Sequence, residues 1–275
     1  MRQKPDLDSY HTQPGKVFAG ILNHIGTTAV GACFRGLAAS GLGSFLDSGR
    51  WLRLSEERVR RLVSPGPLLI MLRVLNGLGY ARLSPLKQVD YAFCLQESAL
   101  PFIRCSTWQL GFQRALEAAI HFQDSRTVGS WLPGRREKAI IHGRPAASPL
   151  YAGIMTELSL QISPRGNTDR PLGLQEDGTV KGLSPEEARF CRHLLADPGW
   201  CDSERDGLVL TDAGRMALQL APQYYHTAAY LNLYTRFPSC LQGIFSHSLQ
   251  EDSHLRRDID IASSSRVFPM PPSPS

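Results

Sequence analysis

Residues 199–220 read GWCDSERDGLVLTDAGRMALQL, and the order of signals in this stretch decides the fold. Trp200-Cys201 and Leu208-Val209-Leu210 are short extended runs, and Asp206-Gly207 between them readily takes the positive φ that a tight return needs. Thr211 then stands where an N-cap belongs. Its hydroxyl can accept from a free amide of the helix that carries Ala213, Met216, Ala217 and Leu220. Upstream, Ser184-Pro185-Glu186-Glu187 has the form of a capping box with proline at the first helical position, which predicts a helix from there to about Ala196.

Helix, strand, wing and helix in that order predict a winged-helix unit, a device that either reads DNA or holds proteins together. A similar order occurs between about Thr27 and Phe93. A helix of small and apolar residues (Ala29, Val30, Cys33, Phe34, Leu37, Leu42, Phe45, Leu46) is expected to precede Trp51-Leu52-Arg53-Leu54, a short extended piece. Ser55 is expected to cap a second helix through Val63, with Glu56 and Glu57 at the positive end of its dipole. Pro65-Gly66-Pro67 reads as a turn, Leu68 to Leu78 as a third helix, and Gly79 as its left-handed C-cap. Ala81-Arg82-Leu83 and Tyr91-Ala92-Phe93 complete the pattern as a second wing.

The predicted fold is therefore mainly α: two winged-helix-like units with short β-wings, linked by helices and loops, with no Rossmann domain. The expected division is an N-terminal extension (1–26), a first unit (27–100), a helical and loop connection (101–182), a second unit with its following helix (183–245), and a linker with a tail (246–275). In the connection, Trp108 to Phe122 and Leu150 to Leu160 have helical spacing, Val128 to Arg144 reads as an exposed link, and Ser163 to Gly182 as a long loop. The last stretch, SSSRVFPMPPSPS (263–275), has no periodicity and is expected to be disordered.

Composition limits the functions open to the chain. Its 275 residues, 42% hydrophobic and 20% charged, are those of a soluble globular protein with core to spare. The net charge of +5 is mild and gives little reason to propose a nucleic-acid partner. Neither a signal peptide nor a membrane span is evident, and the six cysteines, with no CxxC pair, read as buried thiols of a cytoplasmic protein.

Motifs for catalysis are scarce. The glycines of Gly36-Leu-Ala-Ala-Ser-Gly41-Leu-Gly43 lack the fingerprint spacing for a pyrophosphate, and no P-loop, zincin or nucleophile-elbow motif occurs. None of the eight histidines is paired with another at the i, i+4 spacing of a metal site, so no metal is predicted. Tyr225, His226 and Tyr230 form a candidate substrate-side cluster, since an imidazole beside phenols can move protons, although an aromatic stripe at helical spacing more often packs. For DNA, the groove-entering helix of the first unit would offer only Arg73 and Asn76, and Glu186 and Glu187 would face phosphates with the wrong sign. Leu68, Leu69, Leu72 and Leu75 on that helix are instead a candidate interface.

Residues 27–93 and 183–262 resemble the N-terminal portion of class I S-adenosylmethionine-dependent methyltransferases, especially those of polyketide and other natural-product pathways. The likeness lies in FRGLAASGLGSFLDSGRW (34–51), PGPLLIMLRVLNGLGY (65–80), LTDAGRMALQLAPQYYHTAAYLNLYTRFPSCLQGIF (210–245) and, more loosely, HLRRDIDIASSS (254–265). In that family such a region precedes the catalytic domain and supplies dimer contacts and part of the substrate cover. No strand with a glycine-rich turn and acidic partner follows Ser265, so no cofactor-binding or catalytic residue carries over. The resemblance implies an accessory or truncated front part that does not methylate alone. It would be a homodimer or the partner of a separate methyltransferase domain, with S-adenosylmethionine bound only through that domain. The alternative is a winged-helix transcriptional regulator using Arg58, Arg60, Arg61, Arg189 and Arg192. A third possibility is a stand-alone enzyme centred on Tyr225, His226 and Tyr230.

Overall fold

In the computed structural model, which describes residues 13–47, 49–86, 90–125, 147–162 and 171–243, the chain is mainly helical with short strands in small sheets. Its spine is α1 (Gln13–Ala39). This helix starts well before Thr27, so much of the expected N-terminal extension is helix, and it ends at Ala39, because Gly41 with φ 76° turns the chain before Leu42, Phe45 and Leu46. At 1.5 Å per residue it is about 40 Å long, enough to run through both halves of the molecule. Val17 and Ile21 belong to the core of one half, and Val30, Cys33, Phe34 and Leu37 to that of the other. Among the described residues, α1 is the one helix long and apolar enough to cross a membrane. Its Ile21, Val30, Phe34 and Leu37 are buried within the same chain, whereas Phe18 and Leu22 are exposed.

After α1 come β1 (Leu52–Arg53), α2 (Glu57–Arg60), α3 (Pro65–Gly77), β2 (Ala81–Pro85) and β3 (Tyr91–Leu95). The three strands form an antiparallel sheet in the order β1-β3-β2, with Leu52 opposite Phe93 and Leu83 opposite that same Phe93. Two expected helix starts are corrected. Ser55 does not cap α2, because its hydroxyl donates to Asp90 Oδ2 at 2.6 Å and Glu56 takes the N-cap position. Pro65-Gly66-Pro67 is the first turn of α3 and not a separate turn, as a proline at N1 gives up no helical hydrogen bond. At the other end, Gly79 has φ 79°, and the Tyr80 and Gly79 amides donate to the Leu75 and Asn76 carbonyls, the paired bonds of a Schellman motif.

The chain continues through α4 (Leu100–Arg104), α5 (Ser106–Ser125) and α6 (Ser148–Ile162). The expected link at 128–144 and the tail from 246 lie outside the described residues. Helices α5 and α6 approach closely because Gly153 lies against Ala119, where an added β-carbon would come within 3.1 Å. Next, β4 (Gly173–Leu174) pairs antiparallel with β5 (Val180–Lys181), inside the segment expected to be loop. Then α7 (Pro185–Ala196) opens with the predicted capping box, in which the Ser184 side chain and Glu187 amide, and the Glu187 side chain and Ser184 amide, are both bonded.

In 199–220 the return, the cap and the helix start stand where the sequence put them, while the two expected strands are reduced to single bridges and the helix ends at Gln219, one residue before Leu220. Gly207 has φ 82°, Cys201 bridges Leu210, and Thr211 Oγ1 accepts from the Gly214 amide at 3.1 Å to cap α8 (Asp212–Gln219). Thr179 bridges Val209 on the other side, so the pairing partner of this segment comes from the supposed loop. Finally α9 (Tyr224–Ala229) and α10 (Leu231–Leu241) carry the chain back across α1, and Leu241 is fully buried in the first half's core. A smaller core of Ala32, Phe112, Leu116, Ala119 and Leu231 joins α1, α5 and α10.

Candidate functional site

Midway along α1 the two halves leave a cavity of about 550 Å³ between them. Small-molecule sites commonly have volumes of roughly 300–1,000 Å³. Its base is the stretch of about two and a half turns of α1 carrying Asn23, Gly26, Thr27, Val30 and Gly31, where two glycines leave room that side chains would fill. Gly31 is also needed for packing, since a β-carbon there would meet the Phe112 ring at 2.2 Å. Leu22 and Leu78 line the same cavity and are 49% and 51% exposed, so they sit at its open side.

One wall is built around His24. Its ring stacks on Tyr151 with centroids 4.0 Å apart and planes 10° from parallel, and Trp200 meets it edge-on at 5.6 Å. His24 Nδ1 shares a hydrogen bond of 2.7 Å with the Tyr224 hydroxyl, and Tyr151 donates to the Leu194 carbonyl at 3.1 Å. Burial lowers the His24 pKa to about 4, and burial raises that of Tyr224. At neutral pH this wall therefore presents an uncharged imidazole, held by its hydrogen bond to the uncharged Tyr224 phenol. Ser148, at the start of α6, and Asp197-Pro198, after α7, complete it.

The opposite wall is aromatic. Phe34 stacks on Phe102 at 5.3 Å with planes 4° from parallel, Tyr80 meets Phe34 edge-on at 5.2 Å, and Trp108 lies 5.3 Å from Phe102. Trp108 in turn stacks on Phe112 at 5.2 Å. The Trp108 indole Nε1 is buried, with no hydrogen-bond partner among the described residues. Such a donor costs free energy until an acceptor reaches it.

The residues singled out from sequence lie elsewhere. Tyr225 pairs its hydroxyl with Ser159 Oγ at 3.2 Å, His226 is exposed, and Tyr230 packs near Tyr234 at 6.4 Å; none of the three lines the cavity. Tyr224, one position earlier and fully buried, hydrogen-bonds His24 of the cavity wall but does not itself line the cavity. The proposed interface is also corrected. Leu68, Leu72 and Leu75 are fully buried in this chain's own core and Leu69 is half-buried against it, while Ile70 is the apolar residue of α3 that faces outward. On α2, Arg58 and Arg61 are paired with Glu56 and Glu57, which leaves less positive charge for phosphate than the sequence suggested.

The glycines at 36, 41 and 43 belong to helix packing. Gly36 lies against Leu241 and Met71, and Gly41, with φ 76°, follows the end of α1. Five of the six cysteines are buried and Cys105 is exposed. Burial pushes the Cys201 and Cys240 thiols up to about 11, so they are poor nucleophiles at neutral pH. Among the described residues, no group of three or more His, Cys, Asp or Glu side chains is placed to hold a metal ion. In comparison with known proteins, no family model and no curated protein matches the chain.

Proposed function

We propose that this chain is an accessory region that holds and shapes a small-molecule substrate for a methyltransferase domain carried elsewhere, and that it does not catalyse methyl transfer alone. The observation that carries the reading is the cavity between the two halves, lined by the rings of Phe34, Tyr80, Phe102, Trp108 and Tyr151 together with the polar side chains of Asn23, His24, Thr27, Ser148 and Asp197. Concave sites that combine aromatic walls with a set of polar groups bind small molecules, and the polar groups set orientation. The exposed Leu22 and Leu78 at the open side give a covering domain or a second copy an apolar edge to rest on.

The architecture supports the same reading. The order α1, β1, α2, α3, β2, β3 with sheet order β1-β3-β2 supports the winged-helix reading of the first half, and the one helix between the short strands and bridges of the second half supports it in reduced form. A DNA-reading unit would turn a polar face of α3 outward. The exposed residues here are Gly66, Ile70, Arg73, Asn76 and Gly77, with one cation among them.

Calorimetric titration of the intact chain with S-adenosylmethionine and S-adenosylhomocysteine tests the proposal. Flat heats at concentrations well above micromolar are expected. Saturable binding of either would overturn the accessory reading and place the cofactor on this chain.

A further inference from the structure

We propose that the cavity takes an organic cation, an ammonium group carried on an apolar body, and that the Asp197 carboxylate supplies the charge that selects it. The inference rests on the reading of the cavity as a small-molecule site and adds the charge class of the ligand.

The lining sets the sign. Among the described residues that border the cavity, Asp197 is the one carboxylate, and none is Lys or Arg. His24 does not offset it, because burial keeps that ring uncharged at pH 7. The other polar side chains, Asn23, Thr27 and Ser148, are neutral, and each carries an oxygen able to accept from an ammonium N–H. Their amide and hydroxyl groups donate to an anion as readily, so discrimination between the two charges falls to Asp197.

The backbone reinforces that sign. Asp197 is the C-cap of α7, a helix of 12 residues, and Asp197-Pro198 bring this helix end to the cavity. Aligned peptide dipoles place about half a negative charge at a helix C-terminus, so a cation bound there is stabilised by the helix as well as by the carboxylate. Asp197 is also exposed, which puts the ammonium at the opening, where it keeps part of its hydration while the body enters. Phe34, Tyr80, Phe102, Trp108 and Tyr151 give that body apolar area. Since Phe34 and Phe102 stack on one another, and His24 on Tyr151, the rings impose no particular stacking geometry on it.

The test uses three probes built on one naphthalene ring: 1-naphthylmethylamine, a cation at pH 7, neutral 1-naphthylmethanol and anionic 1-naphthylacetate. Equilibrium dialysis at low salt gives their Kd values for the wild-type chain and for Asp197→Asn, which keeps the size of the side chain and removes its charge. A charge pair open to water changes Kd by a factor of about three, in favour of the amine and against the acetate. The preference for amine over acetate should therefore fall about tenfold in Asp197→Asn, with the alcohol as the reference for an intact cavity. An unchanged preference, with the alcohol bound by both proteins, would overturn the role of Asp197 and leave the cavity reading intact, as would tighter binding of acetate than of amine by the wild type. Failure of the wild type to bind any of the three would overturn the cavity reading itself. Where Asp197→Asn loses the alcohol as well, the wild type decides: its amine preference should shrink between about 0.02 and 0.5 M sodium chloride, and a flat preference would overturn the proposal. Gly26→Leu, which places a side chain in the cavity, should abolish binding of all three probes, and far-ultraviolet circular dichroism of each variant reports that the fold persists.

Discussion

Replacing Gly214 by alanine isolates the packing on which the 199–220 stretch depends. Gly214 lies in the first turn of α8, and its main-chain amide donates to Thr211 Oγ1, a bond that survives the substitution. An added β-carbon would stand 1.8 Å from the Trp200 carbonyl oxygen and 2.8 Å from its carbon. That oxygen also accepts from the Thr211 amide at 3.1 Å, so the obstacle is backbone already fixed by a hydrogen bond. Relief requires moving α8 away from Trp200-Cys201. Alanine is the better helix former by about 1 kcal/mol, but overpacking costs about 1–3 kcal/mol, and a backbone contact this close belongs at the upper end. The expected net loss is about 2 kcal/mol, or roughly 4–8 °C in Tm for a chain of this size. Gly66→Ala is the control, because no atom lies within 4 Å of the added carbon and the helix gains up to about 1 kcal/mol. Urea denaturation followed by far-ultraviolet circular dichroism gives both midpoints. Equal or greater stability of Gly214→Ala would refute the close approach of helix and wing.

The remaining predictions concern caps, charge and core. Ser184→Ala should cost about 1 kcal/mol by breaking the capping box of α7, while Ser55→Ala, which loses only an exposed bond to Asp90, should change stability by less than about 0.5 kcal/mol; equal losses in urea midpoints would count against the corrected start of α2. The His24 pKa of about 4 lies below its ordinary value of 6.5, so the unfolded chain binds more protons between those pH values. Stability should accordingly be complete above pH 6.5 and fall as the pH drops toward 4, with a shallower slope in His24→Gln, as measured by denaturation at a series of pH values. Leu72→Ala should cost about 2–5 kcal/mol because Leu72 is fully buried, whereas Ile70→Ser, at 56% exposure, should leave the monomer's stability within about 0.5 kcal/mol. Similar effects of the two would mean that α3 is turned differently.

What could be read from sequence was local, and what was missed depends on distant partners. The capping box at Ser184, the Thr211 cap and the Gly79 and Gly207 returns each involve groups within a few residues, so their spacing carries the signal. Ser55 has the same local form as a cap, but Asp90, 35 residues away, takes its hydroxyl. The β4 and β5 strands have two residues each among Gly, Pro and Asp, too short for alternation to register, and Thr179 pairs with Val209 across the intervening helix. The interface reading of α3 took apolar residues on most faces to mean a missing partner; the partners are Leu37, Phe93 and Leu241 of the same chain's core.

The site was hidden for the same reason. His24 and Tyr224 are 200 residues apart, and no spacing rule connects them. The aromatic signal at 224–230 was legible, but which of three neighbouring positions faces inward depends on where α9 docks. Gly31 of α1 serves close packing against Phe112, and Gly26 and Gly31 both line the cavity. That the same helix also borders a cavity follows from the meeting of two halves whose cores share α1.

The most direct test of the central claim is hydrogen–deuterium exchange of the intact chain with and without saturating 1-naphthylmethylamine. The account predicts slower exchange in segments 22–31, 102–108, 148–151 and 197–198, which border the cavity, and little change elsewhere. Protection confined to 225–230, or none at all, would contradict it.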